Sequence, residues 1–123
     1  MAGTTKRSGD EGEQRALDHL VRQGLRLVAR NYRVAAGPRA FGGEVDLIVR
    51  DRDGTLVFVE VRRRRHVHHG GAAASVTGAK QRRVRYAARH YLQTLASPPP
   101  CRFDVVVIDG DDLVWLRAAF TDD

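Results

Sequence analysis

The sequence is poor in cysteine and lacks long apolar runs. Cys101 is the single cysteine, which excludes a disulfide within the chain. No apolar stretch approaches the roughly twenty residues that span a membrane. The N-terminal residues also lack the apolar segment of a secretion signal. These absences predict a cytoplasmic protein without a membrane partner.

Lysine is also scarce, because arginine supplies nearly all of the positive charge. Lys6 and Lys80 are the only lysines among 21 basic residues, and the formal net charge is +6. A basic domain of this size favours a polyanionic partner, and nucleic acid is preferred because no amphipathic anchor is present. The alternative is a genome that favours arginine codons and a merely soluble surface.

The length of 123 residues predicts one domain over residues 9–120, after a flexible tail over residues 1–8. A helix is predicted from Glu11 to Gln23, because Ser8 and Asp10 each precede a glutamate at capping-box spacing. Extending the apolar stripe of this helix back by one turn places Glu13 on the inward face. Capping and a role in a site both stay open for Glu13.

A strand is predicted over residues 25–34, followed by a hairpin over residues 44–63 whose three-residue loop ends at Gly54. This loop places Asp46 opposite Glu60. Strand alternation then separates a charged face from a valine-rich core face. The charged face carries Glu44, Asp46, Glu60 and Arg62. The core face carries Val45, Leu47, Val49, Val57, Val59 and Val61. Ile48 is predicted to lie opposite Phe58.

A second helix is predicted over residues 77–96, with Lys80 in its first turn near the core stripe. The arginines opposite that stripe are predicted to be solvated: Arg82, Arg85 and Arg89. Strands over residues 102–108 and 113–116 follow. The resulting order, α-β-β-β-α-β-β, predicts an α/β fold with a mixed sheet flanked by helices.

Carboxylates that converge from paired strands, with a cation two residues after one of them, suit a divalent metal and a phosphate. Mg²⁺ prefers oxygen ligands and often uses only one or two carboxylates besides water and substrate phosphate. Asp46 and Glu60 are the expected ligands, and Arg62 is placed to stabilise charge on phosphate. The sequence therefore predicts a site for Mg²⁺ or Mn²⁺, and an ordinary buried network of the two carboxylates with Arg62 and the neighbouring arginines is the alternative.

The same residues carry a resemblance. Asp46 followed by Glu60-Val61-Arg62 resembles the PD-(D/E)XK nuclease signature, and the chain as a whole resembles the YraN-like family of small bacterial proteins placed in that superfamily. The matching pieces are Gly12-Glu13, Asn31-Tyr32-Arg33, Gly43 to Ile48, Phe58 to Arg62, Lys80, Ala87-Ala88, Tyr91-Leu92 and Arg102 to Asp104. The resemblance implies a restriction-endonuclease-like fold and a metal-dependent endonuclease. The expected substrate is DNA rather than RNA, and branched or damaged DNA is included in this expectation.

Carried over by position, the resemblance implies three metal ligands: Glu13, Asp46 and Glu60. The implied catalytic residues are Asp46, Glu60, Arg62 and Lys80. The expected nucleic-acid contacts are Arg62, Arg63, Arg64, Arg65 and Lys80. Arg62 stands where the superfamily has lysine, and arginine stabilises charge but does not act as a general base. Lys80 is the candidate that compensates.

Several alternatives stay open. Because of Arg62, the fold is also compatible with a catalytically inactive nucleic-acid-binding module, or with a protein whose basic surface meets an acidic partner. A homodimer is one option for the oligomeric state. The histidines after the hairpin, His66, His68 and His69, favour phosphate or solvent contact over zinc, because no cysteine pair supports a zinc site. Asp104 is interpreted as structural, and Trp115 and Phe103 as core or edge aromatics.

Overall fold

This computed structural model describes residues 2–38, 42–64 and 76–122. These parts of the chain contain two helices and five strands. In chain order they are α1 (Ala2–Arg22), β1 (Arg26–Val34), β2 (Gly43–Arg50), β3 (Leu56–Arg63), α2 (Gly78–Leu92), β4 (Cys101–Asp109) and β5 (Asp112–Phe120). This order confirms the predicted α/β fold class.

The strands form one mixed sheet in the order β1-β2-β3-β4-β5. Neighbouring strands are antiparallel except β3 and β4, which are parallel. A parallel pair needs a crossover connection, and α2 lies within the crossover here. Helix α1 packs on one face of the sheet and α2 on the other.

Both faces of the hairpin β2–β3 are buried, which explains why its middle is apolar throughout. The α1 side contains Ala16, Leu17, Leu20, Leu47, Val49, Val57, Val59, Val106 and Ile108. The α2 side contains Val45, Ile48, Leu56, Phe58, Val84, Ala87, Ala88 and Phe103. The predicted core face was wrong for Val45, which lies on the α2 side, away from Leu47. The predicted charged face is apolar near the loop, where Ile48 and Phe58 pack under α2.

The predicted hairpin register is confirmed over the paired part of the strands. Ile48 lies opposite Phe58, and Asp51 N–H donates to Thr55 O over 2.9 Å, which closes the three-residue loop. Gly54 has φ +90°, a left-handed conformation that favours glycine in such a loop. Backbone pairing of β2 with β3 ends at Leu47 and Val59, so Asp46 and Glu60 lie just beyond it.

Helix α1 begins at Ala2 and not at Glu11, so the backbone is helical where the sequence predicts a tail. The capping-box prediction was wrong, because Ser8 and Asp10 lie inside the helix. Adding residues to a formed helix costs far less than nucleating one, which allows the packed turns to extend toward the N-terminus. The flexibility of residues 1–8 stays a prediction. The helix stops before Gly24, as predicted, with φ +99° at that residue.

Helix α2 is shorter than predicted and β5 is longer. Thr77 caps α2, and its Oγ1 accepts a 3.2 Å hydrogen bond from Lys80 N–H. Strand β5 continues to Phe120, whose ring stacks on Phe103 with centroids 5.1 Å apart. That contact joins residues distant in sequence, so the local pattern over residues 113–116 does not predict the longer strand.

Candidate active site

The sheet opens between β2 and β3 at Asp46. The backbone N–H of Val61 donates to Oδ2 of Asp46 over 2.8 Å. A side-chain oxygen therefore takes the place of a backbone acceptor just beyond the paired residues. This arrangement holds the Asp46 carboxylate between the two strands, beside Glu60.

Asp46 and Glu60 form a buried carboxyl pair. Their residues are only 9% and 7% exposed, and their side chains hydrogen bond to each other. Burial raises the pKa of Glu60 well above its usual range, and the hydrogen bond and charge of Asp46 raise it further. The nearby positive charges of Lys80 and Arg62 lower it, but by less. The pair consequently retains a proton that two exposed carboxylates would lose.

Lys80 reaches this pair from the first turn of α2. Its Nζ lies 3.9 Å from Oε2 of Glu60, and its side chain is partly exposed. The structure therefore brings Lys80 to the cluster, as the sequence predicts from its position beside the core stripe. The cap at Thr77 fixes where this helix begins and so where Lys80 points.

A small open pocket adjoins Glu60 on the α2 side of the sheet. Its lining residues are Glu44, Glu60, Lys80, Arg83 and Val84. Sequence reasoning did not single out Arg83. The available signal was its spacing, because positions three apart on a helix lie on the same face, and Lys80 precedes Arg83 by three. Glu44 also pairs with Arg33, at 3.4 Å between Oε2 and Nε.

Glu13 approaches Asp46 from α1, on the other side of the sheet. Burial raises the pKa of Glu13, the Asp46 charge raises it further, and a hydrogen bond from the Asn31 side chain lowers it. Its Oε1 is buried and has no hydrogen-bond partner among the described residues. Because α1 begins at Ala2, Glu13 does not cap the helix, and its role in a site stays a prediction.

The arginines that follow Glu60 lie on both sides of the sheet. Arg62 shares the face of Glu60, and its Nε is buried without a hydrogen-bond partner in the described part of the chain. Arg63 lies toward α1, where its Cδ is only 3.0 Å from the position that a Cβ on Gly12 would take. Arg64 N–H donates to Ile108 O over 2.8 Å. The phosphate contacts predicted for these arginines stay predictions.

Four of the predicted residues lie outside the described parts of the chain: Arg65, His66, His68 and His69. Within residues 2–38, 42–64 and 76–122, no group of three or more histidine, cysteine, aspartate or glutamate side chains has the spacing of a formed metal site. The ligand set of Glu13, Asp46 and Glu60 stays a prediction, and the Asp46–Glu60 pair is the part that the structure joins.

Asp104 has the structural surroundings that the sequence interpretation assigns to it. The residue is fully buried and accepts hydrogen bonds from Arg102 Nε at 3.0 Å, Trp115 Nε1 at 2.9 Å and Ala118 N–H at 2.9 Å. Arg102 also pairs with Asp51 at 2.9 Å, next to the hairpin loop. This network holds β5 on β4 and links β4 to the residue that precedes the hairpin loop.

The arginines of the outer face of α2 are not all simply solvated. Arg85 Nε donates to Thr121 O over 2.7 Å, and its guanidinium lies over the Phe120 ring. Arg89 pairs with Asp122 at 3.4 Å. These two residues anchor the end of the described chain to α2, whereas Arg82 is exposed as predicted.

Comparison with known proteins decides the family. The sequence profile of the uncharacterised protein family UPF0102 matches residues 12–108. The chain belongs to the UPF0102 family. It is 68% identical over 117 residues to a UPF0102 protein of Methylibium petroleiphilum, covering 95% of this chain and 96% of that protein. It is 58% identical over 120 residues to a UPF0102 protein of Albidiferax ferrireducens, covering 98% of this chain and 91% of that protein.

Membership of UPF0102 confirms the predicted YraN-like family. The matched range includes Glu13, Asp46, Glu60, Arg62 and Lys80, so every residue of the described site lies within the family profile. Placement in the wider PD-(D/E)XK superfamily stays a prediction. In the described chain, neither helix has the length and apolar character needed to cross a membrane.

Proposed function

We propose that this UPF0102 protein binds DNA and hydrolyses its phosphodiester bonds with the help of a divalent cation. The observation that carries the proposal is the buried pair of Asp46 and Glu60 at the opening between β2 and β3. Two carboxyl groups in contact are costly to ionise together without a cation. A cation at this point relieves their repulsion, and Lys80 lies beside the pair.

The donor chemistry of the pair fits Mg²⁺ or Mn²⁺. Both groups offer carboxylate oxygens, and two carboxylates with water and substrate phosphate suffice for Mg²⁺. Glu13 would add a third oxygen from α1, since its buried Oε1 has no hydrogen-bond partner among the described residues. A bound divalent ion would polarise the phosphodiester and increase the acidity of water.

The remaining roles belong to the cations of this chain. Lys80 is placed to contact a phosphate oxygen next to Glu60, and Arg83 lines the same pocket one turn later. Arg62 shares the face of Glu60 and adds fixed positive charge where negative charge develops during hydrolysis. Lys80 is the candidate for the role that lysine has in the superfamily and that Arg62 does not fill.

Nucleic acid fits the charge of the chain and the geometry of the site, and the resemblance to PD-(D/E)XK nucleases favours DNA over RNA as the substrate. A net charge of +6 favours a polyanion. The pocket is open and bordered by exposed cations of α2, which suits a backbone phosphate. Branched or damaged DNA is included in the proposal, because a basic surface alone does not distinguish DNA structures.

Cleavage assays test this proposal. Labelled duplex, nicked and four-way-junction DNA are incubated with the protein and Mg²⁺, Mn²⁺ or a chelator. Asp46→Asn is the informative variant, because it removes charge while keeping an oxygen for Val61 N–H. Glu44→Gln is the matched control at the pocket rim. Metal-dependent cutting that Asp46→Asn abolishes and Glu44→Gln retains supports the proposal; equal cutting by wild type and Asp46→Asn points to a contaminant.

A nucleic-acid-binding protein without cleavage activity is the second candidate, and Arg62 favours it. Its guanidinium stands in the position of the superfamily lysine and does not serve as a general base. This alternative predicts salt-sensitive DNA binding with no cutting by wild type. Arg62→Lys then distinguishes an absent catalytic group from an absent metal site. Recovery of cutting in this variant assigns the loss to Arg62.

A further inference from the structure

On both β1 and β2, the side chains switch from one face of the sheet to the other at one point along the strand. On β1, Arg30 Nη1 donates to Gln14 of α1 over 3.0 Å, whereas Tyr32 packs on the α2 side. On β2, Leu47 packs on the α1 side and Val45 on the α2 side. Residues two apart in a regular strand share a face, so regular alternation fails on both strands.

The residue between Arg30 and Tyr32 explains the change. Asn31 has φ +51°, in the left-handed region. Among non-glycine residues, asparagine is one of the most tolerant of this conformation. Arg30 pairs with Leu47 and Tyr32 pairs with Val45, which places Asn31 beside Asp46. Because directly opposed residues share a face, the reversal at Asn31 is matched on β2 at Asp46.

The same residue contacts the third carboxyl group of the site. The Asn31 side chain lies within hydrogen-bonding reach of Glu13 of α1 and lowers the pKa of that carboxyl group. Glu13 is close enough to Asp46 for the two charges to repel, and its buried Oε1 has no hydrogen-bond partner among the described residues. A carboxylate in that position moves toward solvent unless a neighbouring donor holds it. The Asn31 amide is a donor within reach of Glu13.

We propose that Asn31 is a positioning residue, whose left-handed backbone and side-chain amide together hold Glu13 beside Asp46. The inference rests on the proposed function in treating these carboxylates as a cation site. It goes further by assigning the alignment of two strands and one helix to a single residue. Partners that orient metal ligands typically contribute about 10- to 100-fold to metal affinity.

Three variants separate the two contributions of Asn31. Asn31→Gly accepts the left-handed backbone and deletes the amide, whereas Asn31→Ala disfavours the backbone as well. Ala118→Gly is the matched control, because Ala118 also has φ +51° but lies on β5 beside Asp104. The measurements are the Glu13 position in metal-free crystal structures, the melting temperature, and Mn²⁺ affinity by calorimetry without DNA.

Asn31→Gly is expected to melt near the wild-type temperature, to displace Glu13 and to weaken Mn²⁺ binding about tenfold or more. Asn31→Ala is expected to melt at a lower temperature than Asn31→Gly, and Ala118→Gly to bind Mn²⁺ like wild type. An unmoved Glu13 with wild-type affinity in Asn31→Gly overturns the positioning role and leaves the proposed function intact. Displacement of Glu13 in a protein whose wild type binds no Mn²⁺ refutes the cation site and retains the positioning role.

Discussion

Asp46 Oδ2 accepts a 2.8 Å hydrogen bond from the backbone N–H of Val61, the residue that follows Glu60. This bond ties the carboxylate of β2 to the backbone of β3 beyond the last paired residues. It therefore fixes the separation of Asp46 and Glu60 without closing the sheet over them. The proposed cation site needs carboxyl groups that are held in this way at the opening between the two strands.

The pH dependence of stability tests the buried pair. The pKa of Glu60 is raised above its ordinary value of 4.5, chiefly by burial. The folded state therefore holds the Glu60 proton more tightly than the unfolded state does. Glu60 contributes stability that is complete below pH 4.5 and is lost as the pH rises through the folded-state pKa. In metal-free buffer, the melting temperature of wild type is expected to fall with rising pH, and that of Glu60→Gln to fall less.

Glu44→Gln is the control for this measurement, because Glu44 is partly exposed and pairs with Arg33 at the pocket rim. Its melting temperature is expected to follow wild type across the pH range. Parallel curves for wild type and Glu60→Gln would contradict a raised pKa at Glu60. Added Mn²⁺ is expected to restore wild-type stability most strongly at the alkaline end, where the pair is ionised.

Arg83 is expected to contact a DNA phosphate through the pocket it shares with Lys80 and Glu60. Arg83→Ala should weaken binding equally for unrelated sequences. It should also reduce the slope of log affinity against log salt by about 1. Arg52→Ala is the matched control, since Arg52 is an exposed arginine on the hairpin loop, away from the site. The same loss in both variants would assign the effect to net charge rather than to this pocket.

Asp104 is expected to matter for stability. Asp104→Asn replaces an acceptor oxygen by a donor among Arg102, Trp115 and Ala118, which all donate to the aspartate. Breaking a buried charge pair typically costs about 3–5 kcal/mol in the free energy of unfolding. Urea unfolding measures this loss, with Asp109→Asn on the same strand as the control. A loss under about 1 kcal/mol would mean that the network contributes little.

Local sequence patterns predicted the parts of the site that depend on local geometry. The loop Arg52–Gly54 determined the hairpin register, and helical spacing placed Lys80 beside Glu60. Contacts between distant segments explain the differences. The left-handed Asn31 moves Val45 to the α2 side, although its neighbours on β2 continue an ordinary apolar pattern. Arg63 follows Val59 and Val61 to the α1 side by ordinary alternation, and Gly12 leaves room there for its side chain.

The central claim is that Asp46 and Glu60 together bind a divalent cation, and a calorimetric titration with Mn²⁺ tests it most directly. Wild type is expected to bind one ion near neutral pH with release of protons, because the pair retains a proton when metal-free. Glu60→Gln and Asp46→Asn are expected to bind at least about tenfold more weakly, and Glu44→Gln to bind like wild type. Equal affinity in wild type and Glu60→Gln, or no binding by wild type, would contradict the claim.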